Sequence, residues 1–507
     1  MADIRTIQDM LTRPARADNA IGAPERPSLS FGALENFVAQ TVETLNRAGI
    51  GRNDRVAIVL PNGPEMATAF LTVACGAATA PLNPDYKAGE FEFYLSDLNA
   101  KALVIEDGAE SPALAVARKL NVPVIRLKAD PKGPAGLFTL DGAAGGKPAQ
   151  GGFAEAGDIA LVLHTSGTTS RPKIVPLSQR NVTASAGNIG KTLALTEEDR
   201  CLNIMPLFHI HGLMAATLSS MAAGASVYCS PGFNALKVFS WLDEAKPTWY
   251  TAVPTMHQAI VARAERNPES VKRAKLRFIR SSSSSLPPQV MAEVERVFNA
   301  PVIESYGMTE ASHQMASNPL PPRARKPGSV GVAAGPEVAI MDDAGNLLPQ
   351  GGIGEIVIKG GNVTAGYENN PKANEGAFTN GWFRTGDQGS FDAEGYLSLT
   401  GRLKEINNRG GEKISPREVD EVLLDHPAVA QAITFAMPHA KLGEEVAAAL
   451  VLKEGANATE NDIRAFVATR LADFKVPRKV VFLAEIPKGA TGKAQRIGLA
   501  EKLGLGA

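Results

Sequence analysis

The chain has 507 residues, too many for one hydrophobic core and enough for two or three domains. Its 52 Lys and Arg against 53 Asp and Glu leave a net charge of -1, so neither nucleic acid nor an anionic membrane is indicated as a partner, since both call for a basic excess. Cys75, Cys201 and Cys229 are scattered and lack Cys-x-x-Cys spacing, which argues against a disulfide framework and a zinc site and fits a reducing cytoplasm.

The N-terminal residues do not lead into the apolar core of a signal peptide, and no run reaches the ~18 apolar residues that span a membrane. Over the first four hundred or so residues helix-period and strand-like segments alternate, the pattern of an α/β fold with sheets covered by helices. Leu34, Phe37, Val38, Thr41, Val42 and Leu45 keep helical spacing, and residues 56–60 follow as a short apolar strand. Residues 65–80 are predicted as a further helix, stopped by Pro81-Leu82-Asn83-Pro84, with buried strands at 102–105 and 122–125. The Gly-, Ala- and Pro-rich stretch 128–157 is expected to be a surface connection.

Residues 159–163 are an apolar run, and directly after them comes His164-Thr165-Ser166-Gly167-Thr168-Thr169-Ser170-Arg171-Pro172-Lys173. Gly167 lets backbone N–H groups turn inward, while the hydroxyls of Thr165, Ser166, Thr168 and Thr169 and the ammonium of Lys173 are donors to anionic oxygens. The stretch is suited to polyphosphate, although it lacks the Gly-x-x-x-x-Gly-Lys-Ser/Thr spacing of a Walker loop; a solvated Ser/Thr/Gly turn is the lesser alternative for it alone. Residues 201–236 contain no Lys, Arg, Asp or Glu, but interspersed Ser, Thr and Gly make a buried helix and strand the better reading. Near residue 401 the pattern restarts with shorter units. Ser415-Pro416 opens a helix to about residue 426, two apolar runs cover 428–436 and 446–452, and a helix covers 460–471.

Six further segments accompany the phosphate-type loop: Met205-Pro206-Leu207-Phe208-His209-Ile210-His211-Gly212, Tyr306-Gly307-Met308-Thr309-Glu310, Gly381-Trp382-Phe383-Arg384-Thr385-Gly386-Asp387, Gly401-Arg402-Leu403-Lys404, Arg409-Gly410-Gly411-Glu412-Lys413-Ile414-Ser415-Pro416 and Pro487-Lys488-Gly489-Ala490-Thr491-Gly492-Lys493. In this order, over nearly the whole chain, they resemble the adenylate-forming superfamily of acyl-CoA synthetases, luciferases and adenylation domains. The resemblance implies a large N-terminal AMP-binding domain (1–401) of parallel and mixed sheets covered by helices. A hinge at 402–404 and a small mobile α+β C-terminal domain (405–507) would follow.

It also implies ATP, Mg²⁺ and coenzyme A, with a carboxylate attacking the α-phosphate in a site that must neutralise charge and align two anions. Glu310 would help to hold Mg²⁺, Thr309 would contact the α-phosphate, Tyr306 would pack on adenine, and Asp387 with Arg402 would hold the ribose. Lys493 would bridge the acyl carboxylate and the ribose-phosphate oxygens. Lys404 marks the hinge, and Gly410 and Gly411 would line the pantetheine tunnel. An accessible Lys493 would also be a target for a lysine acyltransferase and deacylase, because acylation removes its charge.

His211, Ser283 and His313 fall on or beside pocket-lining segments where synthetases for fatty or aromatic acids place small or apolar residues, so a polar acyl tail is expected. Residues 165–176, 208–213, 280–286 and 306–320 look in particular like the oxalate-CoA ligase group, with malonate or another short acid as the neighbouring reading. His209 lies near a gating position and is not assigned to substrate. Ser170, Ile174, Gly489 and Ala494 depart from the wider superfamily pattern and bear on rate rather than reaction type. A luciferase-type oxygenase, a carrier-protein loader and an inactive nucleotide sensor are the rival classes; no carrier domain follows in this chain, and Glu310, Asp387 and Lys493 stand at their expected positions.

Overall fold

The computed structural model describes residues 4–13, 16–142, 145–165, 172–487 and 494–506, which form two compact units. One comprises Met1–Thr165, Ile174–Val338 and Ile358–Ala377; the other comprises Ser166–Lys173, Ala339–Val357 and Phe378–Ala507.

The first unit contains a seven-stranded sheet in the order 138–141, 124–129, 102–106, 55–59, 78–81, 159–165, 173–178. Its central pairs are parallel, and Ala57, Val59, Leu103, Ile105 and Val162 face helices Ala88–Asp97 and Pro112–Lys119 in one apolar cluster. The helix expected over 65–80 is shorter: Pro64–Ala74 is helical, whereas Ala78–Pro81 is a strand. Apart from Glu65 in the helix's first turn both pieces are buried, so no polar face marks where one period gives way to the other. The expected connection 128–157 likewise contains the edge strand Phe138–Asp141, antiparallel to Val124–Ala129.

A nine-stranded sheet runs in the order 332–333, 313–317, 302–308, 278–281, 249–252, 200–203, 226–229, 19–23, 26–30. Alternation along its central parallel strands sorts the side chains. Tyr250, Ala252 and Ile279 join Phe239, Ile260 and Val294 from helices Val238–Ala245, Pro254–Ala264 and Pro288–Phe298. The Ile, Val and Phe side chains among them each stabilise the fold by about 1.5–3 kcal/mol on burial. Thr251 and Arg280 alternate with these residues and therefore point to the opposite face. The charge-free stretch 201–236 supplies strand Ser226–Cys229, as expected, but its helix begins as a π-helix, His211–Leu218.

In the second unit, strands 337–341, 354–359, 382–391, 378–379 and 397–402 form one sheet. A separate sheet is built on the hairpin of Val429–His439 with Gly443–Leu452, parallel on its far side to Lys479–Phe482. Val446, Ala448 and Leu450 pack against helices Pro416–Leu424 and Glu460–Ala468, while Ala447 and Ala449 meet Leu499 on the other face. Ser415 caps the first of these helices by accepting from Glu418 N, as the Ser-Pro sequence predicts. Among the described residues no helix is long and apolar enough to cross a membrane.

Candidate active site

Strand Val302–Met308 and the antiparallel strand His313–Ser317 are joined by a tight corner containing the one-turn 3-10 helix Thr309–Ala311. Ser312 (φ 47°) and His313 (φ 95°) both take left-handed backbone, an uncommon and strained choice for non-glycine residues that clusters at functional sites. Gly307 is required here, because a Cβ on it would lie 1.7 Å from the His313 carbonyl oxygen. The corner presents Thr309 half-buried, with Tyr306 and Glu310 buried. Glu310 Oε1 accepts a hydrogen bond of 2.7 Å from the Tyr367 hydroxyl.

Strand Ile159–Thr165 leads to the phosphate-type loop and Lys173–Ser178 leaves it. Thr165 and Lys173 are half-buried at these two ends; Ser166, Gly167, Thr168, Thr169 and Ser170 lie outside the described residues. Ile174 is buried in the sheet's apolar cluster, which accounts for a branched residue at the loop exit.

No group of three or more His, Cys, Asp or Glu able to hold a metal ion occurs among the described residues. A Mg²⁺ that arrives on ATP needs only one or two carboxylates, with phosphate oxygens and water completing its shell, and the buried Glu310 fits that requirement.

The acid-recognition candidates converge. Thr251 and Arg280 are register partners on adjacent parallel strands, so their side chains share a face. His211, fully buried on the π-helix, places Nε2 2.6 Å from Thr251 Oγ1 and Nδ1 3.0 Å from Ser283 Oγ. Arg280 Nη1 lies 3.2 Å from His313 Nε2 and 3.5 Å from His211 Nε2, and its Nη2 donates to Gln314 Oε1 at 3.4 Å. The two imidazoles stack with centroids 5.0 Å apart and planes at 28°.

Guanidinium can only donate, so both Nε2 atoms are acceptors, and His211 is assigned as the neutral tautomer carrying its proton on Nδ1 toward Ser283. Burial first, then His313 and Arg280, hold the His211 proton affinity well below the ordinary imidazole value. Burial also lowers Arg280 to about 9, which leaves it charged near neutrality.

Arg280 is fully buried, its Nε has no hydrogen-bond partner, and no carboxylate pairs with it among the described residues. Sequence reasoning missed Arg280, Thr251 and Gln314. For Arg280 a signal was present: a charged residue that directly follows the apolar pair Phe278-Ile279 and directly precedes the serine tract 281–285.

In the second unit Asp387 is buried on strand Trp382–Phe391, and its cross-strand register partner is Arg402, with Nε 3.3 Å from Oδ1. Gly386, at φ 75°, bends the chain before it and donates its N–H to Glu355 Oε1. Lys404 is exposed in the turn that follows. Gly410 and Gly411 form the exposed turn between strands Asn407–Arg409 and Glu412–Ile414, at φ 59° and 101°. Gly489 and Lys493 lie outside the described residues.

Residues 11–368 match the family described as AMP-binding enzyme, and residues 418–493 match the AMP-binding enzyme C-terminal domain. The chain belongs to the AMP-binding enzyme family. It is 46 % identical to an oxalate--CoA ligase of Arabidopsis thaliana, with 94 % of each chain covered, and 44 % identical to an oxalate--CoA ligase of Saccharomyces cerevisiae, with 89 % and 87 % covered. The crystal structure of ATP-bound MatB from Rhodopseudomonas palustris matches it with a TM-score of 0.88 at 29 % identity, covering 99 % of both chains. This AMP-binding enzyme is an AMP-forming acid-CoA ligase.

Proposed function

We propose that the acid is oxalate. The observation that carries this reading is Arg280, a buried cation with two imidazoles and a glutamine for neighbours and no carboxylate pairing with it among the described residues. Burying an uncompensated charge is costly, and a bound anion offsets that cost, each hydrogen bond to charge returning about 1.5–3 kcal/mol. Oxalate has no hydrocarbon to bury. One of its carboxylates would meet Arg280, His313, His211 and Ser283 while the other, on the adjoining carbon, attacks the α-phosphate. A fatty or aromatic tail would lie against the guanidinium instead. The two oxalate--CoA ligase relatives support the same acid.

In the first half-reaction, the carboxylate oxygen forms a bond to the α-phosphorus and the bond to the β-phosphate bridging oxygen breaks, giving acyl-AMP and pyrophosphate. Thr165, Ser166, Gly167, Thr168, Thr169 and Lys173 would hold the departing phosphates, Thr309 the α-phosphate, Tyr306 the adenine, and Asp387 and Arg402 the ribose. Lys493 would offset charge between the carboxylate and the phosphate. Glu310 would hold Mg²⁺, which when bound would supply charge neutralisation on the phosphate oxygens. In the second half-reaction the CoA thiolate attacks the acyl carbon and AMP leaves. Gly410 and Gly411 would line its path, and Lys404 would be the hinge between the two steps. Three free, buried cysteines agree with a cytoplasmic setting.

The test is pyrophosphate release against oxalate, malonate, acetate, hexanoate and benzoate, with and without CoA. Oxalate is expected to give the highest kcat/KM; preference for hexanoate or benzoate would refute the acid assignment.

A further inference from the structure

Tyr367 belongs to none of the nucleotide or acid assignments, yet its buried hydroxyl donates to Glu310 Oε1 at 2.7 Å. Its backbone is fixed from both sides by Asn374: Tyr367 N donates to Asn374 Oδ1 at 2.8 Å, and Asn374 Nδ2 donates to Tyr367 O at 2.7 Å. The segment around it, residues 362–368, is bonded in two directions.

Toward the Glu310 corner, Thr364 N donates to Glu310 O at 2.8 Å and Asn362 Nδ2 donates to Ala311 O at 2.8 Å, while Ser312 Oγ donates to Asn362 O at 2.9 Å. Toward the strand leaving the phosphate-type loop, Thr364 Oγ1 donates to Pro176 O at 2.9 Å and Glu368 N donates to Ile174 O at 3.1 Å. Glu368 is in turn ion-paired with Arg55. The segment is thus a strap between the corner that carries Glu310 and strand Lys173–Ser178.

We propose that Tyr367 is a positioning residue for the metal-nucleotide complex: its hydroxyl fixes the Glu310 carboxylate, and the strap 362–368 sets that carboxylate relative to the strand leaving the phosphate-type loop. The inference rests on the assignment of Glu310 to Mg²⁺. A glutamate side chain loses rotamer freedom when it binds a metal, and a partner that orients it beforehand removes part of that loss. Outer-shell partners of metal-binding carboxylates typically carry 10- to 100-fold in metal affinity or activity.

The test needs no turnover. ATP binding to the full chain is titrated calorimetrically without acid or CoA, once in EDTA and once in Mg²⁺, and the ratio of the two Kd values reports the coupling between metal and nucleotide. Tyr367→Phe keeps the ring and removes the hydroxyl; it should lower that ratio about 10-fold while leaving the Kd in EDTA unchanged. Asn374→Ala, which frees the Tyr367 backbone without touching the hydroxyl, should act in the same direction. Glu310→Gln should lower the ratio by itself, and adding Tyr367→Phe to it should have no further effect.

An unchanged ratio in Tyr367→Phe would overturn the inference and leave the acid-CoA ligase reading intact. Equal weakening in EDTA and Mg²⁺, or additive effects in the double variant, would do the same by showing a merely structural role. An unmodified protein whose ATP affinity is the same in both media would overturn the placement of Mg²⁺ on Glu310, and this inference with it.

Discussion

Arg280 Nη1 lies 3.2 Å from His313 Nε2, so a buried guanidinium donates to an imidazole nitrogen where an ion-pair partner would ordinarily stand. A side chain that is costly to bury and unneutralised by the described residues is what the proposed acid site, completed by an anion, would require.

Replacing Arg280 by Met should therefore separate stability from activity. With the charge gone, the melting temperature should hold or rise, because apolar replacements of buried charges are often neutral or stabilising. Meanwhile kcat/KM for oxalate should fall by roughly 10- to 100-fold or more, the equivalent of about 1.5–3 kcal/mol for each lost hydrogen bond to charge. Calorimetric ATP binding should not change. Oxalate activity within threefold of the unmodified protein would place the second carboxylate elsewhere.

His257 gives a stability prediction with a defined sign. It is fully buried beside Tyr250, whose hydroxyl lies 3.3 Å from Nδ1, and burial lowers its pKa to about 4. The unfolded chain takes up this proton near pH 6.5, whereas the native state takes it up only near pH 4. Between those values unfolding binds a proton, so stability rises with pH and levels off above about 6.5. His257→Gln should reduce the slope of unfolding free energy against pH in that window by up to about 1.4 kcal/mol per pH unit. Urea unfolding at several pH values from 4.5 to 7.5 measures it, and an unaltered slope would mean that His257 is not buried neutral.

Much of this arrangement was legible because local chemistry and local structure coincide. The apolar run 159–163 became strand Ile159–Thr165, Ser415-Pro416 capped a helix, and the dispersed histidines lay on segments that end in the same place. Burial erased other signals. Helix Pro64–Ala74 buries every residue but Glu65, and strand Ala78–Pro81 and the π-helix His211–Leu218 bury all of theirs, which leaves no polar face to set a period. The register of Thr251 with Arg280 depends on which strands are neighbours, information that no local window contains. The Tyr367 to Glu310 bond spans 57 positions and was invisible for the same reason.

Asp387 and Arg402 should differ in weight although they pair. Asp387 is buried, whereas the Arg402 side chain is 49 % exposed and its contribution is screened by water. If Asp387 accepts from the ribose diol, the unmodified protein should discriminate against 2′-deoxy-ATP, and Asp387→Asn should lose about 10-fold in kcat/KM for ATP while discriminating less. Arg402→Met should cost no more than about 5-fold, in line with an exposed pair of about 1 kcal/mol or less. Undiminished discrimination in Asp387→Asn would assign the ribose to another group.

The last prediction concerns the two half-reactions, which place different demands on the second unit. Gly411 sits at φ 101° in an exposed turn with open space at its Cβ position, so Gly411→Leu adds bulk without a clash at the Cβ itself, at the cost of backbone strain in that turn. If the pantetheine arm passes there, this variant should form oxalyl-AMP at the normal rate, read as pyrophosphate release, and fail to convert supplied oxalyl-AMP to the thioester. Lys493→Ala should do the reverse, because in the proposed role its charge would be needed only while the anionic carboxylate approaches the anionic phosphate; losses of roughly 100-fold in the first step are expected when a preorganised charge is removed. The two variants must be compared by folding as well as rate, since strain at Gly411 would lower the melting temperature but would not select one half-reaction. If each folded variant lost both steps to the same extent, the division of labour between Lys493 and the Gly410-Gly411 turn would be wrong, and the small domain would be serving a single closed site.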